Sequence, residues 1–167
     1  MPIFGGSKRP KLDGLTRDEQ RRLDALIAGA SVDGAASAAA VLLEKAEEEP
    51  REVLWPLSLG SQLMAAGRYV PAMEAFEEAV GRDPTEVRGH YGAAMACFRA
   101  AEHRLEHGDA SWDDAVPAGM TVDNLLHASL RHFQDAMELT PDKNERDELA
   151  SAAAIVRRAI MRKAGRL

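Results

Sequence analysis

LWPLSLGSQLMAAGRYVPAMEAFEEAVGRDP, Leu54 to Pro84, carries the pattern of two helices and the turn that folds one onto the other. Met73, Phe76 and Val80 recur at i, i+3 and i+7 and so share one helix face. Gly60 and Ala72 are small where two helix axes must come within about 8–10 Å. Gly67 can take the left-handed backbone that closes a first helix. Pro84 lacks the N–H that would continue a second one, and it pushes Asp83 out of the helical region. The stretch therefore predicts a helical hairpin packed through small residues.

Counted so that Pro84 takes the thirty-second place, the stretch resembles the tetratricopeptide repeat family. Leu59 and Gly60 fall at the Leu-Gly places of the first helix, Gly67 at the turn and Tyr69 just beyond it. Ala72, Phe76 and Ala79 take the Ala, large-apolar and Ala places of the second helix. Trp55 stands one residue early, with Pro56 in the family's Trp place, and Leu63 replaces the usual Tyr. The resemblance implies an all-α fold, a right-handed superhelix of antiparallel helix hairpins closed by a C-terminal capping helix.

Working outward, residues 1–14 hold glycines, prolines and the basic Lys8, Arg9 and Lys11, and are expected to form a flexible arm. Residues 15–167 are expected to form one tetratricopeptide-like domain. In residues 15–50 a first helix starts at Thr16, whose spacing to Glu19 is that of a capping box. A second helix, about Ala35 to Glu49, ends in Glu47, Glu48 and Glu49, where the helix dipole disfavours negative charge, so a frayed end is expected before Pro50. Pro50 precedes Pro84 by 34 residues, one repeat period, which makes this pair a degenerate repeat ahead of the unit at 51–84.

Residues 85–141 form a second unit. Phe133 and Ala136 stand before Pro141 as Phe76 and Ala79 stand before Pro84, and Ala93 and Ala94 take the Leu-Gly places. Pro141 follows Pro84 by 57 residues, one period and 23 more, so an insertion lengthens both helices around a loop near Gly108 to Met120. Thr121 is placed to cap the second of them. Residues 142–167 are expected to supply a capping helix, with Leu149, Ala153, Val156 and Ile160 inward, and a basic tail.

Hydrophobic residues make up 46% of the 167 and charged residues 29%, as in an ordinary globular chain. Four Phe, two Tyr and two Trp among many alanines favour closely packed helices over a β-sandwich. The net charge of −6 makes nucleic acid an unlikely partner for the domain as a whole. The weaker basic-tail reading rests on Arg157, Arg158, Arg162, Lys163 and Arg166. One cysteine, Cys97, cannot form an internal disulfide, and no run reaches the roughly 18–20 apolar residues of a membrane span. With no apolar leader at the N-terminus, a cytoplasmic location is expected.

No Gly-rich phosphate loop, nucleophile elbow or paired CxxC is present, so no enzyme and no cofactor is expected. His103 and His107 share a helix face at i and i+4, with Glu102 and Glu106 beside them. That spacing can hold a metal, and His127 or His132 on the facing helix would be the third ligand. The HExxH order is missing, and surface histidines are the reading preferred; no metal site is expected. In tetratricopeptide arrays the first helices line a concave groove that binds a peptide or a partner helix. Carried onto this chain, the resemblance gives Leu54, Leu57, Ser61 and Met64 from one unit and Arg88, Tyr91, Met95, Phe98 and Arg99 from the next. These side chains suit an apolar or amphipathic segment, with the arginines facing its carboxylates. The Lys/Asn/Arg clamp of the family's chaperone-tail binders is absent, since Leu57 and Ser61 hold those places. Trp112 in the insertion is a further contact candidate. The expected role is an adaptor, assembly factor or chaperone-like holder. The alternatives are a groove filled by the N-terminal helices, or one that joins with the insertion in a homo-oligomer interface.

Overall fold

A computed structural model describes residues 12, 14–29, 35–108 and 120–165. The described residues are all-α, with seven helices: α1 (Arg17–Gly29), α2 (Ala35–Glu48), α3 (Leu54–Ala65), α4 (Tyr69–Arg82), α5 (Val87–His107), α6 (Val122–Leu139) and α7 (Lys143–Lys163). From α3 onward each helix packs on the one before it, and α3 also reaches its second neighbour α5. No described helix is long and apolar enough to cross a membrane.

Local signals set the helix ends. The Thr16 hydroxyl accepts from the Glu19 N–H at 3.2 Å while the Glu19 carboxylate accepts from the Thr16 N–H at 2.7 Å, the reciprocal bonds of a capping box. Gly67 closes α3 with φ 74°, and Asp83 leaves α4 in an extended conformation before Pro84. Thr121 caps α6 and Asp142 caps α7 through their side-chain oxygens. The helices on either side of residues 108–120 are the longer ones expected, 21 and 18 residues against 12 and 14 in the hairpin before them.

The acidic end of α2 is held, not frayed. The Arg82 guanidinium, from the last turn of α4, donates to the backbone oxygens of Ala46, Glu49 and Glu52 at 2.9, 3.1 and 2.7 Å. These include carbonyls that a helix end leaves without partners. Lys45 pairs with Glu48 and Glu49, and the Trp55 indole N–H donates to Glu49 at 2.6 Å. The stabilising cation lies more than thirty residues away in sequence, beyond the reach of a helix-local reading.

Phe76 stands at the centre of the α3/α4/α5 packing. A Cβ on Gly60 of α3 would come 2.8 Å from its ring, and one on Gly92 of α5 closer still. Two hairpins thus close on one aromatic ring because both partner positions are glycine. Ala93 and Ala94 are fully buried as expected, but the position that admits no side chain is Gly92. On α7, Leu149, Ala153 and Val156 are buried against α6, and Ile160 is half-buried.

Candidate partner-binding groove

Leu57, Ser61 and Met64 follow one another at i, i+4 and i+7 on α3, and Arg88, Tyr91, Gly92 and Met95 do so at i, i+3, i+4 and i+7 on α5. Because α3 touches α5, the two faces converge on a cavity of about 280 Å³. Phe76 of α4 also contributes to its lining. Leu57 is buried at 3% exposure, whereas Met64, Tyr91 and Met95 are half-buried. The Ser61 hydroxyl donates back to the Leu57 carbonyl at 3.0 Å, so it adds little polarity to the wall. The Tyr91 ring meets Phe133 edge-on with centroids 6.2 Å apart, which ties the groove face of α5 to α6.

Six of the ten candidate residues therefore meet at one cavity: Leu57, Ser61, Met64, Arg88, Tyr91 and Met95. The other four do not line it. Leu54 is core at 2% exposure. Phe98 is half-buried against the core. Arg99 is exposed and pairs with Glu102 at 3.1 Å. Trp112 lies outside the described residues, as do Asp109, Asp113 and Asp114.

The remaining lining comes from the segment just ahead of α1, across the boundary expected between arm and domain. Leu12, Gly14 and Leu15 complete the cavity, and both leucines are half-buried against the core. Arg88 holds this segment down. Its guanidinium donates to Glu19 Oε2 at 2.7 Å and Oε1 at 2.9 Å, to Glu86 at 2.8 Å, and reaches the Gly14 carbonyl at 3.4 Å. The arginine expected to face a partner's carboxylate thus holds carboxylates of its own chain. The hydrogen bond to Glu86, and then that to Glu19, push the guanidinium pKa upward against the opposing effect of burial. Burial pushes the Glu19 carboxyl up, but the Arg88 hydrogen bond, the Thr16 N–H and the Arg88 charge outweigh it and hold it below the usual glutamate range. The sequence signal for this contact is small: two leucines three apart, just ahead of a capping box.

The histidines sort differently from the pairing weighed in the sequence. His103 and His107 stack with ring centroids 4.5 Å apart, and His103 also meets Tyr69 edge-on at 6.1 Å. His127 is exposed, with Nδ1 2.8 Å from the Asp123 carbonyl of its own helix. His132 is buried and packs against His90, with centroids 5.8 Å apart. Cys97 is fully buried; burial, and next the charge of Glu77, push its thiol up to about 12, so the reactive thiolate is suppressed. No protein-family model matches the chain, and no curated protein matches it either.

Proposed function

We propose that this chain is a non-catalytic, tetratricopeptide-like interaction module whose α3/α5 groove binds an apolar or amphipathic segment of another protein. The observation that carries the reading is the composition of the cavity walls. Leucine, methionine, tyrosine and phenylalanine converge there, and Leu12 and Leu15 of the same chain already lie against them. A groove that accepts a segment with leucines three apart from its own chain has the shape and polarity to accept such a segment from a partner. Methionine lets the surface adapt to the incoming side chains. In this reading the hairpins form the family's superhelix, and the N-terminal segment is an internal occupant that a partner displaces.

The test is affinity capture from native extract with mass spectrometry, comparing wild type with Tyr91→Ala/Met95→Asp after the variant shows a wild-type helical signal and melting. A partner lost only with the variant supports groove binding. Partners retained in full by the variant oppose it. Concentration-dependent mass in solution that disappears in the same variant would favour self-association instead.

A further inference from the structure

We propose that His90, His132 and Asp135 form a binding site for a first-row divalent transition-metal ion, of which Zn²⁺ is the probe of choice. The site lies where α5 meets α6, and the groove and the His103/His107 pair play no part in it. One ring nitrogen from each histidine and one Asp135 oxygen lie within 4.8 Å of one another. Bonds of about 2.0–2.2 Å to nitrogen and oxygen ligands would ask these atoms to close in by roughly an ångström. Rotation of the Asp135 and His132 side chains is the closure the site requires, with His90 held by its bond to Pro84.

The protonation pattern favours a cation. Both histidines are buried, at 7% and 8% exposure. His90 Nε2 lies 3.0 Å from the Pro84 carbonyl, an acceptor only, so Nε2 carries the proton and donates it there. Nδ1 is left with its lone pair, and it has no hydrogen-bond partner. Asp135 Oδ2 stands 3.7 Å from that nitrogen. A ligand histidine whose other N–H is fixed by a backbone carbonyl is the usual arrangement around protein metals. Neither ring nitrogen of His132 has a hydrogen-bond partner. Buried polar atoms left in this condition are costly, and a bound ion satisfies them.

Position and charge agree with this. His132 and Asp135 are three apart on α6 and share a face, a spacing by which helical bundles present ligands inward. Glu77 of α4 brings a second carboxylate, with Oε1 3.7 Å from His132 Nε2. Two carboxylates balance one divalent ion. Two imidazoles select against Mg²⁺ and Ca²⁺, which take oxygen ligands. An ion held here would join α5 to α6 and bring α4 into its charge balance.

The test is Zn²⁺ titration of the full chain by calorimetry, with Co²⁺ absorption as a spectroscopic reporter. It is run in a His103→Ala/His107→Ala background, so that the stacked surface pair contributes nothing. The expected result is one ion per chain, a higher Tm in its presence, and visible Co²⁺ bands of nitrogen and oxygen coordination. Asp135→Asn, a half-exposed position that leaves the fold intact, is expected to weaken binding at least tenfold, and His132→Gln to abolish it. Anomalous diffraction from Zn²⁺-soaked crystals checks the position without any variant, with a peak expected between His90 and His132. No binding in the background protein, binding unaffected by Asp135→Asn, or a peak elsewhere would each overturn the assignment.

Discussion

Arg88 on α5 and Glu19 on α1 are 69 residues apart in sequence and share two hydrogen bonds of 2.7 and 2.9 Å. The pair is largely shielded, with side-chain exposures of 15% and 20%. It is bidentate, and Glu19 also closes the capping box of its own helix. One carboxylate thus starts α1 and anchors it beside the groove.

The first prediction concerns that anchor. Glu19→Gln and Arg88→Ala each loosen α1, and a double-mutant cycle in urea isolates their coupling, expected at roughly 1–3 kcal/mol for charge-assisted hydrogen bonds. Hydrogen exchange is expected to rise in residues 14–29 well before it rises in α3 or α4. A coupling indistinguishable from zero would mean that the Arg88–Glu19 pair does not hold α1, leaving its apolar contacts and the Arg22 contacts to Glu52 and Trp55.

The same pair sets a pH dependence. The Glu19 pKa is lowered in the fold, so its contribution is complete above the unfolded glutamate value of about 4.3 and is lost as pH falls through the lower folded value. Wild type is therefore expected to be more stable than Glu19→Gln at neutral pH, with the difference disappearing in acid. Melting curves of both proteins across that range give the comparison. A difference that persists unchanged to low pH would contradict the assignment.

Packing around Phe76 gives a signed pair of substitutions. Gly92→Ala places a methyl group into the ring and is expected to cost about 1–3 kcal/mol. Gly81→Ala, in α4 with nothing within 4 Å of the new methyl, is expected to be neutral or to stabilise by up to about 1 kcal/mol. Urea midpoints of the two variants should move in opposite directions or differ clearly in size.

Arg82 gives a longer-range prediction. Arg82→Ala removes the donor shared by three backbone oxygens in and just after the last turn of α2, and a loss of roughly 1–3 kcal/mol is expected. Arg82→Lys should recover only part, because an ammonium lacks the planar fork that reaches all three. Equal stability of the lysine variant and wild type would show that charge alone suffices.

These cases mark what was legible in the chain. Signals acting within a few residues were readable: the Thr16–Glu19 box, the left-handed Gly67, the break at Asp83 and Pro84, and the cap Thr121. The groove residues followed from the repeat resemblance and not from spacing, and six of those ten line one cavity. What stayed hidden depends on partners distant in sequence. Arg82 satisfying α2, Leu12 and Leu15 beside the groove, and Phe76 held between Gly60 and Gly92 are consequences of packing. Arg88 illustrates the difference: its place on the groove face was readable, and the identity of its carboxylates was not.

The most direct test of the groove uses the chain's own segment as ligand. A labelled peptide of residues 12–29 is titrated against full-length protein carrying Leu12→Asp/Leu15→Asp, which opens the groove, and against the same protein with Tyr91→Ala/Met95→Asp added. Fluorescence anisotropy is expected to show saturable binding to the first and none to the second, with both proteins equally helical. No binding to the opened protein, or equal binding to both, would contradict the account of the α3/α5 groove as a recognition surface.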